Sequence, residues 1–450
     1  MSSIAVPSRT EAPRPAAAAG GSADRRPDLG ASRERLLRLV AGAGLLTALL
    51  VTFTPFEATS AAGVEATGNL VNQLGYSGLA AVALVGHLTV TPRRAALSLL
   101  SPAWLAMAGW LAIAALHAID PAASIRAAFF TIAAMLAVTG ALCLPASERD
   151  FRLGLGVAAF VVVALSYGGL VVMPTAAIHQ AVGAEAHQAG LWRGIYSHKN
   201  VAGAVFGALF FVGLYLMRCR SRLTGFVIAG ACALFVLKTG SKTALGLLPV
   251  VAVLVVVPGL MGLRAIAVAI IVAMLALTAL ATLGSVMVPA LRDLLHAVAP
   301  GTTFTGRTEI WDFGLRALEG RGWTGFGLES FWRTPVVLSG ESYMDYAWDP
   351  RGATNAHNGF LDVAIALGWP GLAVATLTLV ALPLRDYLRS GTNLQSRRLA
   401  DMFLMVLCYL LLNSFLESFL FARANPVWIM LFLSVAGLRM LARHRPAAGA

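Results

Sequence analysis

From Leu37 to the C-terminus the chain repeats one pattern, a run of about 20 apolar residues followed by a short polar connector with Arg, Lys, Pro or Gly. A run of that length crosses roughly 30 Å of hydrocarbon as a helix. Barrel strands would be much shorter and would alternate in hydropathy. Twelve spans are predicted, near 37–56, 69–89, 96–118, 125–145, 152–174, 200–217, 223–237, 244–260, 264–284, 358–380, 401–421 and 426–442. The most polar is 69–89, with Asn72, Gln73 and His87, and only Pro258-Gly259 and Arg264 divide the pair within 244–284. The pattern stops in three places. Residues 1–34 are rich in Ala, Pro, Arg and Ser, lack the apolar core of a signal peptide, and read as a disordered tail. Residues 444–450 form a second tail. Between bundle segments 35–284 and 357–443 lies a polar loop, 285–356. The expected fold is an all-α polytopic membrane protein of about twelve transmembrane helices with one large loop.

Composition agrees with this. Apolar residues make up 58%, charged residues 12%, and mean hydropathy is +0.75, against about 25% charged in a soluble domain. The net charge of +12 would suit nucleic acid, but the positions of the charges argue against that partner. With the N-terminus in the cytoplasm, 22 of the 34 Lys and Arg fall in inner segments and 12 in outer ones, six of these in the long loop. Long loops barely count in the positive-inside rule, so the vote is 22 against 6. Both termini are expected in the cytoplasm and the long loop outside, as in a bacterial inner-membrane protein. The six exceptions are Arg126, Arg193, Lys199, Lys238, Lys242 and Arg423. Either an anionic ligand compensates them or they snorkel to lipid phosphate. Cys143, Cys219, Cys232 and Cys408 lie in or beside apolar runs without metal or redox spacing, and read as small buried hydrophobes.

Candidate chemistry gathers at the outer connectors. Arg193 to Asn200 (Arg-Gly-Ile-Tyr-Ser-His-Lys-Asn) puts Arg193, His198 and Lys199 at the mouth of a span. A guanidinium fork, an ammonium and a helix N-terminus all suit phosphate, whereas Trp192 and Tyr196 suit a plain interfacial anchor. Lys238 to Thr243 (Lys-Thr-Gly-Ser-Lys-Thr) lacks the spacing and strand of a nucleotide loop; it is a tight turn whose two lysines invite a phosphate or merely cap a hairpin.

Within the long loop, Thr305 or Thr308 can cap a helix running to about Leu318. Arg307 and Trp311 then share a face with Leu315 and Leu318, so that Arg307 aims at the bundle mouth while the apolar side lies on the membrane. Gly320 to Gly327 holds four glycines, Trp323 and Phe326, with Phe331 and Trp332 following. No strand precedes these glycines, so a dinucleotide site is excluded. The segment packs on itself, dips into headgroups, or stacks on sugar. His357 sits where the chain re-enters the bilayer, beside Asn358, and can take a proton from a hydroxyl; Asp345, Asp349 and Asp362 are candidate orienters. Asn413 and Glu417, four apart near the outer end of a span, place an acid where it needs Arg423 or an Arg across the bundle. No His spacing matches a metal motif.

In their order around one late outer loop, these segments resemble the O-antigen ligase superfamily, which also holds polysaccharide polymerases. The residues that carry the resemblance are Arg193 to Asn200, Ser241-Lys242-Thr243, Thr305-Gly306-Arg307 with Trp311, Gly325-Phe326-Gly327, His357-Asn358 with Gly368, and Glu417-Ser418. It covers about 190–420. It implies a metal-independent, cofactor-free glycosyltransferase of the lipid-linked (GT-C) type that moves a glycan from undecaprenyl diphosphate to a sugar hydroxyl. His357, Arg307 and Arg193 would be catalytic, and Lys199, Lys242, Trp311, Glu417 and Asn358 would bind diphosphate or glycan. Many members have Arg where this chain has Lys242, which keeps the charge but loses the fork. The Ser-Lys-Thr and Gly-Phe-Gly segments point to the exopolysaccharide polymerase branch. The alternatives are ligation to lipid A core and, in another class, a polysaccharide transporter or flippase. Expected partners are the lipid-linked glycan, membrane lipid, and the flippase and chain-length regulator of an export system.

Overall fold

The computed structural model describes residues 29–57, 69–219, 221–300, 304–338, 350–391, 393–423 and 425–443. Asp345, Asp349 and most of the two expected tails lie outside them. The first half runs α1 (Leu29–Val51), α2 (Leu70–Thr89), α3 (Arg93–Leu99), α4 (Pro102–Leu116), α5 (Pro121–Cys143), α6 (Glu148–Val172), the turn α7 (Pro174–Ala177), α8 (Lys199–Arg218) and α9 (Arg222–Thr239). Then come α10 (Lys242–Leu260), α11 (Arg264–Ala279), α12 (Ser285–Met287), α13 (Pro289–Val298), α14 (Arg307–Leu318), α15 (Pro335–Leu338), α16 (Gly359–Thr376), α17 (Leu382–Arg389), α18 (Leu394–Asn413) and α19 (Pro426–Arg443). Local chemistry sets several starts. Proline fills the first turn of α4 and α5, where a missing N–H costs nothing. Ser147 and Asn393 cap α6 and α18 by accepting from Asp150 N and Ser396 N. The described residues hold no sheet, only an isolated antiparallel bridge between Ile178 and Trp192.

Among the described residues, eight helices are long and apolar enough to cross a membrane, and nine if the α3–α4 pair, bent by 57°, counts as one span. The expected twelve goes beyond this. The other three expected spans are α1, α2 and α18, with 23, 20 and 20 residues. They have the length, but Arg33 to Arg38, Asn72-Gln73 and Arg397 to Asp401 dilute them. For α18 the reason is its place. It packs against α8, α10, α11, α17 and α19 and is buried from Leu399 to Asn413, so it answers to protein and not to lipid. At Gly207 a Cβ would stand 2.0 Å from Tyr409 Oη, so α8 and α18 can touch only because that side chain is absent. Tyr409 Oη donates to Gly203 O at 3.0 Å.

The helix α1 begins at Leu29, inside the segment expected to be a tail. Arg35 there grips Asp150 with two 2.9 Å hydrogen bonds. Arg218–Asp401 at 3.1 Å and Tyr387 Oη to Asp401 at 3.0 Å lie at the same end of the bundle. Residues 304–338 of the insert gather at the opposite end.

There the polar insert packs on α16. Ile310, Trp311 and Leu318 of α14 form a small core with Leu361, Ala364 and Ile365. The apolar face of α14 therefore rests on protein, not on the membrane surface as expected. The insert also repairs a break in α16. Gly368 has φ 69°, and Pro370 brings no N–H for Ala366 O. Phe326 N and Gly327 N donate to Ile365 O and Ala366 O at 2.8 Å each, and Trp110 Nε1 donates to Leu367 O at 2.7 Å. Irregular backbone in a membrane helix persists where protein satisfies it in this way.

Candidate functional site

Glu417 sits in the turn between α18 and α19, beyond the helix end at Asn413, so the expected shared helix face with Asn413 does not exist. Three elements converge on its carboxylate. Arg307, the first residue of α14, donates from Nη2 to Oε1 at 2.8 Å and from Nη1 to Leu416 O. Asn200, in the first turn of α8, donates from Nδ2 to the same Oε1 at 2.7 Å. His357 Nδ1 stands 3.6 Å from Oε2, buried and without a hydrogen-bond partner. The sequence had left the partner of Glu417 open; it is Arg307, while Arg423 pairs with Glu329 at 2.9 Å. Among the described residues the acid facing His357 Nδ1 is Glu417, while Asp362, of the aspartates considered, is engaged by Trp332, Ala356 and Ser418.

The helix α14 begins without a side-chain cap. Gly306 occupies the N-cap with φ 80°, so the expected threonine cap from Thr308 is not formed. That turn leaves Arg307 at the helix tip, facing the α18–α19 turn. Trp311, 0% exposed, donates from Nε1 to Ala356 O at 2.9 Å. It ties the loop to α14 and is buried, where an exposed substrate contact had been expected. Asp362 accepts from Trp332 Nε1 at 2.7 Å, from Ala356 N at 3.1 Å and from Ser418 Oγ. Asn358 is fully buried and caps α16, its Oδ1 accepting from Phe360 N and Leu361 N at 3.1 Å; it too is held away from solvent. Gly359 N donates to Ser414 O at 2.7 Å. His357, fixed between these anchors, has φ 48°, an uncommon backbone state that persists only where the surroundings impose it.

A second group adjoins the first. His198 caps α8, its Nδ1 accepting from Asn200 N at 3.1 Å. Its ring lies 5.2 Å from that of His179, whose Nε2 accepts from Lys199 N at 3.1 Å. Burial, with Arg193 and Lys199 nearby, pulls His179 down to about 4. Burial likewise pulls His198 down to about 4, against the opposing pull of Glu417. Burial pushes the Glu417 carboxyl up, but His357 and Arg307 outweigh it, leaving it below its usual range. At neutral pH the region therefore holds Arg193, Lys199 and Arg307 against one carboxylate, with both of these histidines neutral.

Arg193 is 6% exposed and donates from Nη1 to Ser197 O at 3.1 Å and Glu57 O at 3.3 Å. Its guanidinium is turned inward to these backbone carbonyls, whereas an outward-reaching cation had been expected. Lys242 is exposed at the start of α10, beside the first turn of α8 but outside the Glu417 cluster. The structure thus brings together Arg307, His357, Glu417 and, close by, Lys199, and separates Lys242. Sequence reasoning passed over Asn200 as a ligand of Glu417; its place beside Lys199 at a helix start was the available signal. Among the described residues no group of three His, Cys, Asp or Glu is placed to hold a metal.

A family model described as O-Antigen ligase matches residues 208–376. The chain therefore carries a domain of the O-antigen ligase and polysaccharide polymerase family over that part, from within α8 to the end of α16. The match includes Arg307 and His357; Arg193 to Asn200 and Glu417 lie outside it. A comparison with curated proteins found no match.

Proposed function

We propose that this multi-pass membrane protein transfers a glycan from undecaprenyl diphosphate to a sugar hydroxyl, with lipid A core as acceptor, at the end of the bundle that carries residues 304–338. The observation that carries the reading is the convergence of Arg307, Asn200 and His357 on Glu417. A glycosyl diphosphate needs its leaving charge neutralised and its incoming hydroxyl deprotonated. Arg307 and Lys199, with Arg193 behind them, supply the positive field. The acceptor oxygen bonds to the anomeric carbon as the bond to the diphosphate oxygen breaks, and undecaprenyl diphosphate leaves with the electron pair. His357 takes the hydroxyl proton. Glu417, kept ionised by Arg307, faces Nδ1 and stabilises the imidazolium so formed, while Asn200 and Arg307 fix the carboxylate. The acid, the histidine and the orienting donors have the roles of a hydrolytic triad without its covalent step.

Ligation is preferred to the polymerisation expected from sequence because the family match carries the ligase description. Deleting the gene tests both. Loss of capped lipopolysaccharide supports ligation; loss of long secreted polymer, with single units still made, supports polymerisation. An Arg307→Ala copy should restore at most about a tenth of the product, because charge-assisted contacts contribute about 1.5–3 kcal/mol. Arg307→Lys should restore part of it. Full complementation by Arg307→Ala at equal membrane abundance would remove Arg307 from the site.

A further inference from the structure

A cleft of about 1120 Å³ lies away from Glu417, between the C-terminal half of α14, the Gly320–Thr324 turn and the break in α16. Arg307 and Arg316 are nine residues apart on α14, so about 14 Å separates the two places along the helix. The cleft has features that the transfer centre does not use. Trp323 and Trp369 both line it, 77% and 43% exposed. Trp369 is held in place, with Gly322 against its indole and its backbone N–H donating to Gly322 O at 2.8 Å. A tryptophan as open as Trp323 adds little to folding, and here it shares one cleft with a second exposed tryptophan and polar groups.

The charges decide the ligand class. Asp312 and Arg316 form a 2.9 Å pair, and Glu319 and Arg321 follow, so two carboxylates and two guanidiniums line the cleft. The Glu417 region, by contrast, has an excess of positive charge. A balanced set does not select an anion. It offers acceptors and donors side by side, which suits hydroxyls, since each can both donate and accept. Flat aromatic faces beside such groups suit the apolar faces of a sugar ring. The volume exceeds the roughly 300–1,000 Å³ of ordinary small-molecule sites, so more than a single sugar fits.

We propose that this cleft binds a neutral oligosaccharide portion of the glycan substrate, distant from the bond being made, with Trp323 and Trp369 as its stacking faces. The inference rests on the glycan-transfer reading above. Its test needs no donor, so the two can fail separately. Gly320→Cys places a thiol on the cleft rim, where a Cβ meets no atom within 4 Å, and the native cysteines are buried. The purified protein in phosphatidylcholine nanodiscs would be labelled with an impermeant thiol reagent. The probe is oligosaccharide released by mild acid from the cell's own surface polymer. Labelling should slow as it is added. Trp323→Ala should raise the half-protecting concentration about tenfold, the weight of one aromatic contact, and Trp323→Phe should recover most of the protection. Absence of protection, protection unaffected by Trp323→Ala, or equal protection by phosphatidylglycerol without oligosaccharide would each overturn the proposal. The last outcome would assign the cleft to lipid.

Discussion

His357 and Glu417 make one unit if the carboxylate works through the imidazole. A general base contributes about 10²–10⁴-fold, so His357→Ala should lose that much turnover. Glu417→Gln keeps the shape but removes the charge facing Nδ1, and should lose a large share of the same factor. The double variant should lose about as much as His357→Ala alone, because residues acting as a unit are not additive. Multiplied losses in single-turnover assays would separate the two roles. The neutral histidines give a pH dependence of their own. His179 and His198 sit near 4 in the folded protein against about 6.5 when unfolded, so the unfolded chain binds more protons below neutrality. Their stabilising effect is whole above about 6.5 and declines as pH falls towards 4. Glu417, depressed on folding, adds a loss at still lower pH. Thermal unfolding in nanodiscs from neutral to acid pH should show this decline, and His198→Gln should flatten it. An unchanged slope would contradict the assigned cause.

At the scale of elements, the break in α16 and the glycine turn depend on each other. A Cβ on Gly368 would stand 2.3 Å from Trp323 O, a backbone atom that cannot swing aside. Gly368→Ala should therefore loosen residues 322–327, seen as faster hydrogen exchange there than in α14. Exchange equal to wild type would mean that the turn does not need this contact. The sequence showed the glycines of both segments but nothing of their docking, because backbone-to-backbone bonds across 40 residues leave no local pattern. Helix positions were legible wherever a run faced lipid. The end of α18 was not. Phe415, Leu416 and Phe419 to Phe421 continue the apolar run past Asn413, yet they fill a buried turn. That same misreading put Glu417 inside a helix. At the other end, residues 29–34 were assigned to the tail on composition; α1 instead starts at Leu29, and its Arg35 reaches Asp150. Of the site itself, Arg307 and His357 were readable from residue type and place, whereas their shared partner lies 60 residues beyond His357.

For the whole molecule, the paired basic residues at one end and the insert at the other give the charge asymmetry a physical axis. We propose that the insert faces outward and that Arg35 and Arg218, paired with Asp150 and Asp401, face the cytoplasm. Gly320→Cys should then react with an impermeant reagent in intact spheroplasts; reaction only after lysis would invert the orientation and move the site to the wrong face. The central claim is that this bundle breaks and makes a glycosidic bond on a lipid diphosphate, without carrying the glycan across. The direct measurement uses purified protein in proteoliposomes, with donor glycan labelled on undecaprenyl diphosphate and lipid A core as acceptor. The label should move to the acceptor with equal release of undecaprenyl diphosphate, and Arg307→Ala should largely abolish both. Donor left chemically intact, or label that only changes side of the membrane, would contradict the account.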